Sequence, residues 1–94
     1  MKIEFDPIKN KANIKKHGIS LEMALEIDIE ESFTIQDIRQ SYGEYRYQMF
    51  CPIKGRLFIM IFTFRENIYR IISLRKANER EAKRYKNARK NQKI

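Results

Sequence analysis

Arg56-Leu-Phe-Ile-Met-Ile-Phe-Thr-Phe64, Arg65-Glu-Asn67, Ile68-Tyr-Arg-Ile-Ile-Ser-Leu-Arg75 is the stretch that decides the fold. Two β-branched and aromatic runs flank a short polar turn, the pattern of a β-hairpin. The first run carries almost no polar residue on either parity, so it reads as a central strand buried on both faces. The second alternates. Ile68, Ile72 and Leu74 share one parity with Arg70, whereas Tyr69, Ile71, Ser73 and Arg75 share the other. One face is expected to pack on a core, and the other to present Arg75 with Tyr69 and Ser73 beside it.

Working outward, Pro52-Ile-Lys-Gly55 reads as the turn into this hairpin. Before it, Tyr45 to Cys51 alternates Tyr45, Tyr47, Met49 and Cys51 with Glu44, Arg46 and Gln48, a further strand. Ser41-Tyr-Gly-Glu44 is a turn, and Ser32 to Ile38 a strand with Phe33 and Ile35 on one parity. Toward the N-terminus, Lys2 to Phe5 fits a short first strand. Asp6-Pro7 then starts a helix that runs to His17 and stops at Gly18. Its Lys9, Asn13, Lys16 and His17 share one polar face, read as a solvent face or a functional one. Ser20 caps a second helix, Leu21 to about Ile29. After Arg75-Lys76-Ala77, Asn78 and Glu81 resemble a capping box that opens a third helix bearing Ala82, Tyr85 and Ala88. The expected architecture is α+β: an antiparallel sheet of about four strands, two N-terminal helices and a C-terminal helix. Residues 1–88 form one domain, and 89–94 a basic, frayed tail.

Ninety-four residues leave room for one domain, and 43% hydrophobic content supports a real core. A formal net charge of +8 points to an anionic partner, such as nucleic acid, an acidic protein or a membrane surface, or else to a solvated basic surface. Cys51 is the single cysteine and His17 the single histidine, which excludes an internal disulfide and argues against a zinc site. The N-terminus interleaves charged and apolar residues, unlike a signal peptide. The apolar run Leu57 to Phe62 falls far short of the roughly 20 residues of a membrane span. A cytoplasmic protein without cofactors is the expectation.

No Gly-rich phosphate loop or Ser/His/Asp arrangement is apparent. What remains is a basic sheet face, with Arg46 and Arg75 on outward parities, Tyr69 nearby, and Lys16 and His17 at its border. Such a set suits RNA cleavage without a metal, in which the substrate's own 2′-hydroxyl attacks phosphorus. The protein then needs a base, an acid and cations for the developing charge. Arginine's planar fork matches phosphate oxygens. His17 and Glu44 are the candidate proton carriers. Structural readings stand beside these: His17 as a helix-end packing group, Glu44 as a solvated turn residue, Arg46 as an ion-pair partner of Glu44 or Asp37. Arg75 could serve as a structural ion-pair partner beneath the third helix. Read as a surface arginine outside a buried network, it should cost within about 0.5 kcal/mol to remove. The same face also fits a noncatalytic RNA- or DNA-binding module, or a surface for an acidic protein.

Phe5-Asp-Pro-x-Lys9-x-x-x-Asn13-x-x-Lys16-His17-Gly18-Ile19-Ser20 resembles the opening of the BrnT toxins. Tyr42-Gly43-Glu44-x-Arg46-Tyr47, Arg70-Ile-Ile-Ser-Leu-Arg75-Lys76-Ala77, Glu79-Arg80 and Tyr85 resemble that family's later motifs. Leu74 departs, standing where many relatives carry a smaller residue. The resemblance implies a RelE-like fold and a type II toxin that cleaves RNA and inhibits growth. It also implies a BrnA-type antitoxin, a ribbon-helix-helix protein that neutralises the toxin and binds operator DNA with it. Carried onto this chain, the functional positions are Lys16, His17, Glu44, Arg46 and Arg75. Lys9, Lys16, Tyr69, Lys76 and Tyr85 are the expected RNA contacts.

Overall fold

The computed structural model describes residues 1–91. In chain order its elements are β1 (Lys2–Glu4), α1 (Pro7–His17), two 3-10 helices (Leu21–Glu26 and Ile29–Glu31), β2 (Phe33–Gln36), β3 (Tyr47–Ile53), β4 (Arg56–Arg65), β5 (Ile68–Lys76) and α2 (Glu79–Asn91). The expected basic tail at 89–94 is helical through Asn91, and its last three residues lie outside those described.

The fold is α+β, with the hairpin β4–β5 at the middle of one five-stranded sheet ordered β1-β5-β4-β3-β2. Glu66 and Asn67 both take positive φ (53° and 65°), the geometry of a tight two-residue hairpin turn whose twist matches the strands. Lys54 and Gly55 do the same between β3 and β4 (φ 50° and 79°). That turn is shorter than the sequence suggests, because Pro52 and Ile53 belong to β3. Proline is tolerated there because β2 pairs only with Tyr47 to Phe50, which leaves Pro52 beyond the paired edge.

Three expectations need correction. The sheet is mixed and five-stranded, since β1 pairs with β5 in parallel, Lys2 opposite Ile68 and Glu4 opposite Arg70. A three-residue strand carries too short a pattern to reveal its partner or its direction. The second helix is a pair of 3-10 turns. Leu21, Ala24 and Ile27 recur every three residues, which matches three residues per turn, and Ile27 leaves the helix to bridge Ile53.

The third correction concerns parity. Ile61 pairs with Ser73 but Phe62 pairs with Ile71, so Ile72 is an extra residue, a β-bulge. The bulge reverses the alternation halfway along β5. Tyr69, Ile71 and Leu74 therefore share one sheet face with Phe58, Met60, Phe62, Met49 and Cys51, packed under Ile19, Leu21 and Ala24. Ile72 packs on the other face with Phe50, Ile59 and Ile61, beside Phe33, Ile35 and Tyr85. As expected, β4 is buried on both sides. Its second face is sheltered by α2 at one end only, and grooves open along the rest.

Candidate functional site

Helix α1 forms where Asp6 and Pro7 start it. The Asp6 carboxylate accepts the Ile8 N–H at 2.8 Å, and Gly18 in the left-handed region (φ 71°) ends the helix by donating to the Ile14 carbonyl at 2.8 Å. Asn13 fixes where the helix lies. The sequence places it on a polar face with Lys9 and His17, yet it is only 5% exposed. Its amide donates to the Leu74 and Ile19 carbonyls, both at 2.8 Å, and its oxygen accepts the Leu74 N–H at 3.1 Å. Just past the end of β1, one side chain thus satisfies the outer edge of β5 as a neighbouring strand would. The helix is pinned beside β5, and its basic residues reach the rim of the open sheet face.

A groove of about 340 Å³ results. Lys9, Lys16 and His17 line it from α1, Ser73 and Arg75 from β5, with Ile61 and Ile72 as apolar wall. Arg39 enters from the long connection between β2 and β3. Its guanidinium grips Asp37 through two 2.7 Å bonds, and Tyr42 donates to the same carboxylate at 3.2 Å. The Arg39 bonds hold the Asp37 carboxyl below the ordinary carboxylate range, against the opposing effect of burial.

Arg75 forks onto Glu81 of α2, Nη1 to Oε1 and Nη2 to Oε2, both at 2.8 Å. The side chains are 28% and 15% exposed respectively, so much of the pair is shielded from water. Glu81 also accepts the Asn78 N–H at 2.9 Å and donates its own N–H to Asn78 Oδ1 at 2.8 Å, the reciprocal cap read from the sequence. The Arg75 bonds, helped by Asn78, keep the Glu81 carboxyl below its usual range. The structural ion pair envisaged beneath the third helix is therefore present, and the reading of Arg75 as a residue outside any network is corrected.

His17 ends α1 beside these cations. Partial burial first, then the charges of Lys16 and Arg75, push its pKa below 6.5, which favours the neutral imidazole. Lys9 and Lys16 make no ion pair among the described residues. The groove thus combines a neutral base with several cations, an arrangement able to bind a phosphodiester and accept a proton beside it.

The other expected positions lie elsewhere. Arg46 bonds Glu44 at 3.3 Å and stacks over the Tyr42 ring at 4.2 Å. Glu44 lines a separate depression with Glu4, Arg65 and Arg70, near the β4–β5 turn. Tyr69 packs against Phe62 and Phe64, at centroid distances of 5.1 and 4.8 Å, on the opposite face from Arg75. Lys76 pairs opposite Phe58, which alternation also puts on that far face. Tyr85 stacks on Phe33 at 5.8 Å and donates to the Glu31 carbonyl, packing α2 onto the sheet. Cys51 is buried, which pushes its thiol up to about 12 and leaves it a core residue. Sequence reasoning missed Arg39 as a groove residue, because parity says nothing about an irregular connection.

A model of the ribonuclease toxin BrnT of type II toxin-antitoxin systems matches residues 5–81. No curated protein matches the chain. The matched span covers most of the chain and contains every residue of this groove, from Lys9 to Arg75. By sequence, therefore, the chain belongs to the BrnT family of type II ribonuclease toxins.

Proposed function

We propose that this chain is a RelE-like, metal-independent endoribonuclease that cleaves RNA in the groove between α1, β5 and Arg39. The observation carrying this reading is the convergence of Lys9, Lys16, Arg39 and Arg75 around a neutral His17. His17 takes the proton from a 2′-hydroxyl, and the freed oxygen bonds to phosphorus. The bond to the 5′-oxygen then breaks, leaving a 2′,3′-cyclic phosphate. The leaving oxygen takes a proton from water or from the imidazolium. Lys16, Arg39 and Arg75 neutralise the charge that grows on the phosphoryl oxygens, the role a metal serves in other nucleases. Glu44 and Arg46, held apart from this groove, are proposed to bind RNA further along the open face, away from the chemistry.

A type II family implies an antitoxin partner. We assign here a BrnA-type ribbon-helix-helix protein that neutralises the toxin, with the complex binding operator DNA, and growth inhibition as the result of free toxin. The deciding test is turnover by purified protein, substoichiometric to RNA, across a chelator series. Continued cleavage in chelator with cyclic-phosphate ends is expected. Binding without turnover would make the groove a noncatalytic RNA-binding surface, and loss of cleavage restored by stoichiometric metal would sink the mechanism.

A further inference from the structure

Beyond Arg39, a second groove of about 580 Å³ opens on the same sheet face. Gln36, Gln48 and Phe50 line it from the sheet, and Arg80, Glu81 and Arg84 from α2. It is continuous with the first groove in two ways. Arg39 lines both, and Glu81 of this groove is the partner of Arg75 in the other. Its volume falls in the roughly 300–1,000 Å³ range of small-ligand sites.

Gln48 is the residue without an internal explanation. It sits mid-strand, opposite Ile61 on β4 and Ile35 on β2, and is only 8% exposed. Its side-chain amide makes no hydrogen bond among the described residues, and since none of their buried side-chain polar atoms lacks a partner, the Gln48 amide is open to the groove. Between two isoleucines the stem of Gln48 is packed, while its amide keeps its hydrogen-bonding groups free for a molecule in the groove. A glutamine amide carries two donors and a carbonyl acceptor, the set that pairs with the edge of a nucleobase. Around it Arg80 and Arg84 form no ion pair among the described residues, and Arg84 lies 5.6 Å over the Phe50 ring. Guanidinium planes of this kind stack on bases and hold phosphates, as proteins that read unpaired RNA require.

We infer that this second groove binds the nucleobase next to the cleaved phosphate, with the Gln48 amide reading its edge. The inference rests on the ribonuclease reading and deepens it, making Gln48 the specificity-determining residue. Arg39 stands between the base and the reacting phosphate, so a base seated on Gln48 would set which bond lies beside His17.

The test is a titration of 15N-labelled protein with each of the common nucleoside 3′-monophosphates, following the Gln48 side-chain amide, then the same titration of Gln48→Leu. One base should move that amide and bind roughly 5- to 150-fold tighter than the weakest, the span one bidentate amide–base contact provides. The leucine variant should bind all of them alike. Equal binding of every nucleotide by the wild type, an unmoved Gln48 amide at saturation, or an undiminished preference in the variant would each overturn the inference. The labelled wild-type protein decides the matter even if Gln48→Leu fails to fold. Base preference without RNA turnover would keep this subsite and sink the ribonuclease reading, whereas turnover with no preference would do the reverse.

Discussion

Replacing Arg75 with alanine should remove two things at once, and their sizes can be separated. Arg75 makes two 2.8 Å charge-assisted bonds to a carboxylate that is 15% exposed. Hydrogen bonds to charged groups contribute ~1.5–3 kcal/mol, and breaking a fully buried pair costs ~3–5 kcal/mol. Here Arg75 is 28% exposed and Glu81 keeps its bond to the Asn78 N–H, so water and the cap soften the loss. A destabilisation of about 2 kcal/mol follows from the lower of those ranges. With a slope of about 1 kcal/mol per molar for a small domain, the urea midpoint should fall by about 2 M. The effect should also depend on acidity. Glu81 titrates below its ordinary 4.5 in the folded chain, so the pair stabilises fully above that pH and loses its contribution as pH falls through the folded value. The gap between wild type and variant should therefore be full at pH 7 and narrow below pH 4.5. Cleavage by the folded fraction should slow by a few orders of magnitude, since a preorganised charge donor is worth ~3–4 kcal/mol in the transition state. Urea unfolding and single-turnover cleavage on one preparation read both quantities. An unchanged urea midpoint would refute the structural half, and normal cleavage by the folded variant would refute the catalytic half.

Asn13→Ala should cost at least ~3 kcal/mol, because it strands the Leu74 N–H and C=O and the Ile19 C=O in a buried site where each lost partner costs ~1–3 kcal/mol; urea unfolding measures it, and a loss under 1 kcal/mol would mean water replaces the amide. An NMR titration should place His17 below 6.5, and in Arg75→Ala its pKa should rise toward that value as one repelling charge is removed. Because the unfolded chain then binds the proton more readily than the folded one, His17 should make stability fall as pH drops from 6.5 through its folded value. RNA binding should weaken steeply with salt as phosphate contacts release counterions, and Tyr69→Phe should leave that slope unchanged, since Tyr69 lies on the far face.

Local chemistry was the legible part. Asp6, Pro7 and Gly18 delimit α1 where the sequence puts it, and Asn78 with Glu81 opens α2 by the cap their spacing describes. The apolar run of β4 correctly announced a strand buried on both sides. Of the expected site positions, Lys9, Lys16, His17 and Arg75 meet in one groove, but Glu44, Arg46, Tyr69, Lys76 and Tyr85 do not join them. Tyr69 was misplaced because sequence periodicity assumes an unbroken element. One extra residue at Ile72 reverses every parity assignment on one side of it, and nothing in Arg70-Ile-Ile-Ser announces a bulge. Asn13 and Glu81 show the other limit. Their types were read correctly as polar helix and cap, yet their partners on β5 lie 61 residues after Asn13 and 6 before Glu81. Only the tertiary fold brings them together.

The parallel pairing of β1 with β5 also governs when the groove can exist. Glu4 meets Arg70 across 66 positions of chain, and α1 is held by Asn13 to a strand made 61 positions later. At a synthesis rate of roughly 5–20 residues per second, several seconds separate the emergence of His17 from that of Arg75. During that interval α1 has no β5 edge to dock on, and Lys16 and His17 do not yet face Arg75. Such long-range closure is slow in folding terms. In a growing chain the groove thus stays incomplete until β5, which carries Ser73 and Arg75, has been made.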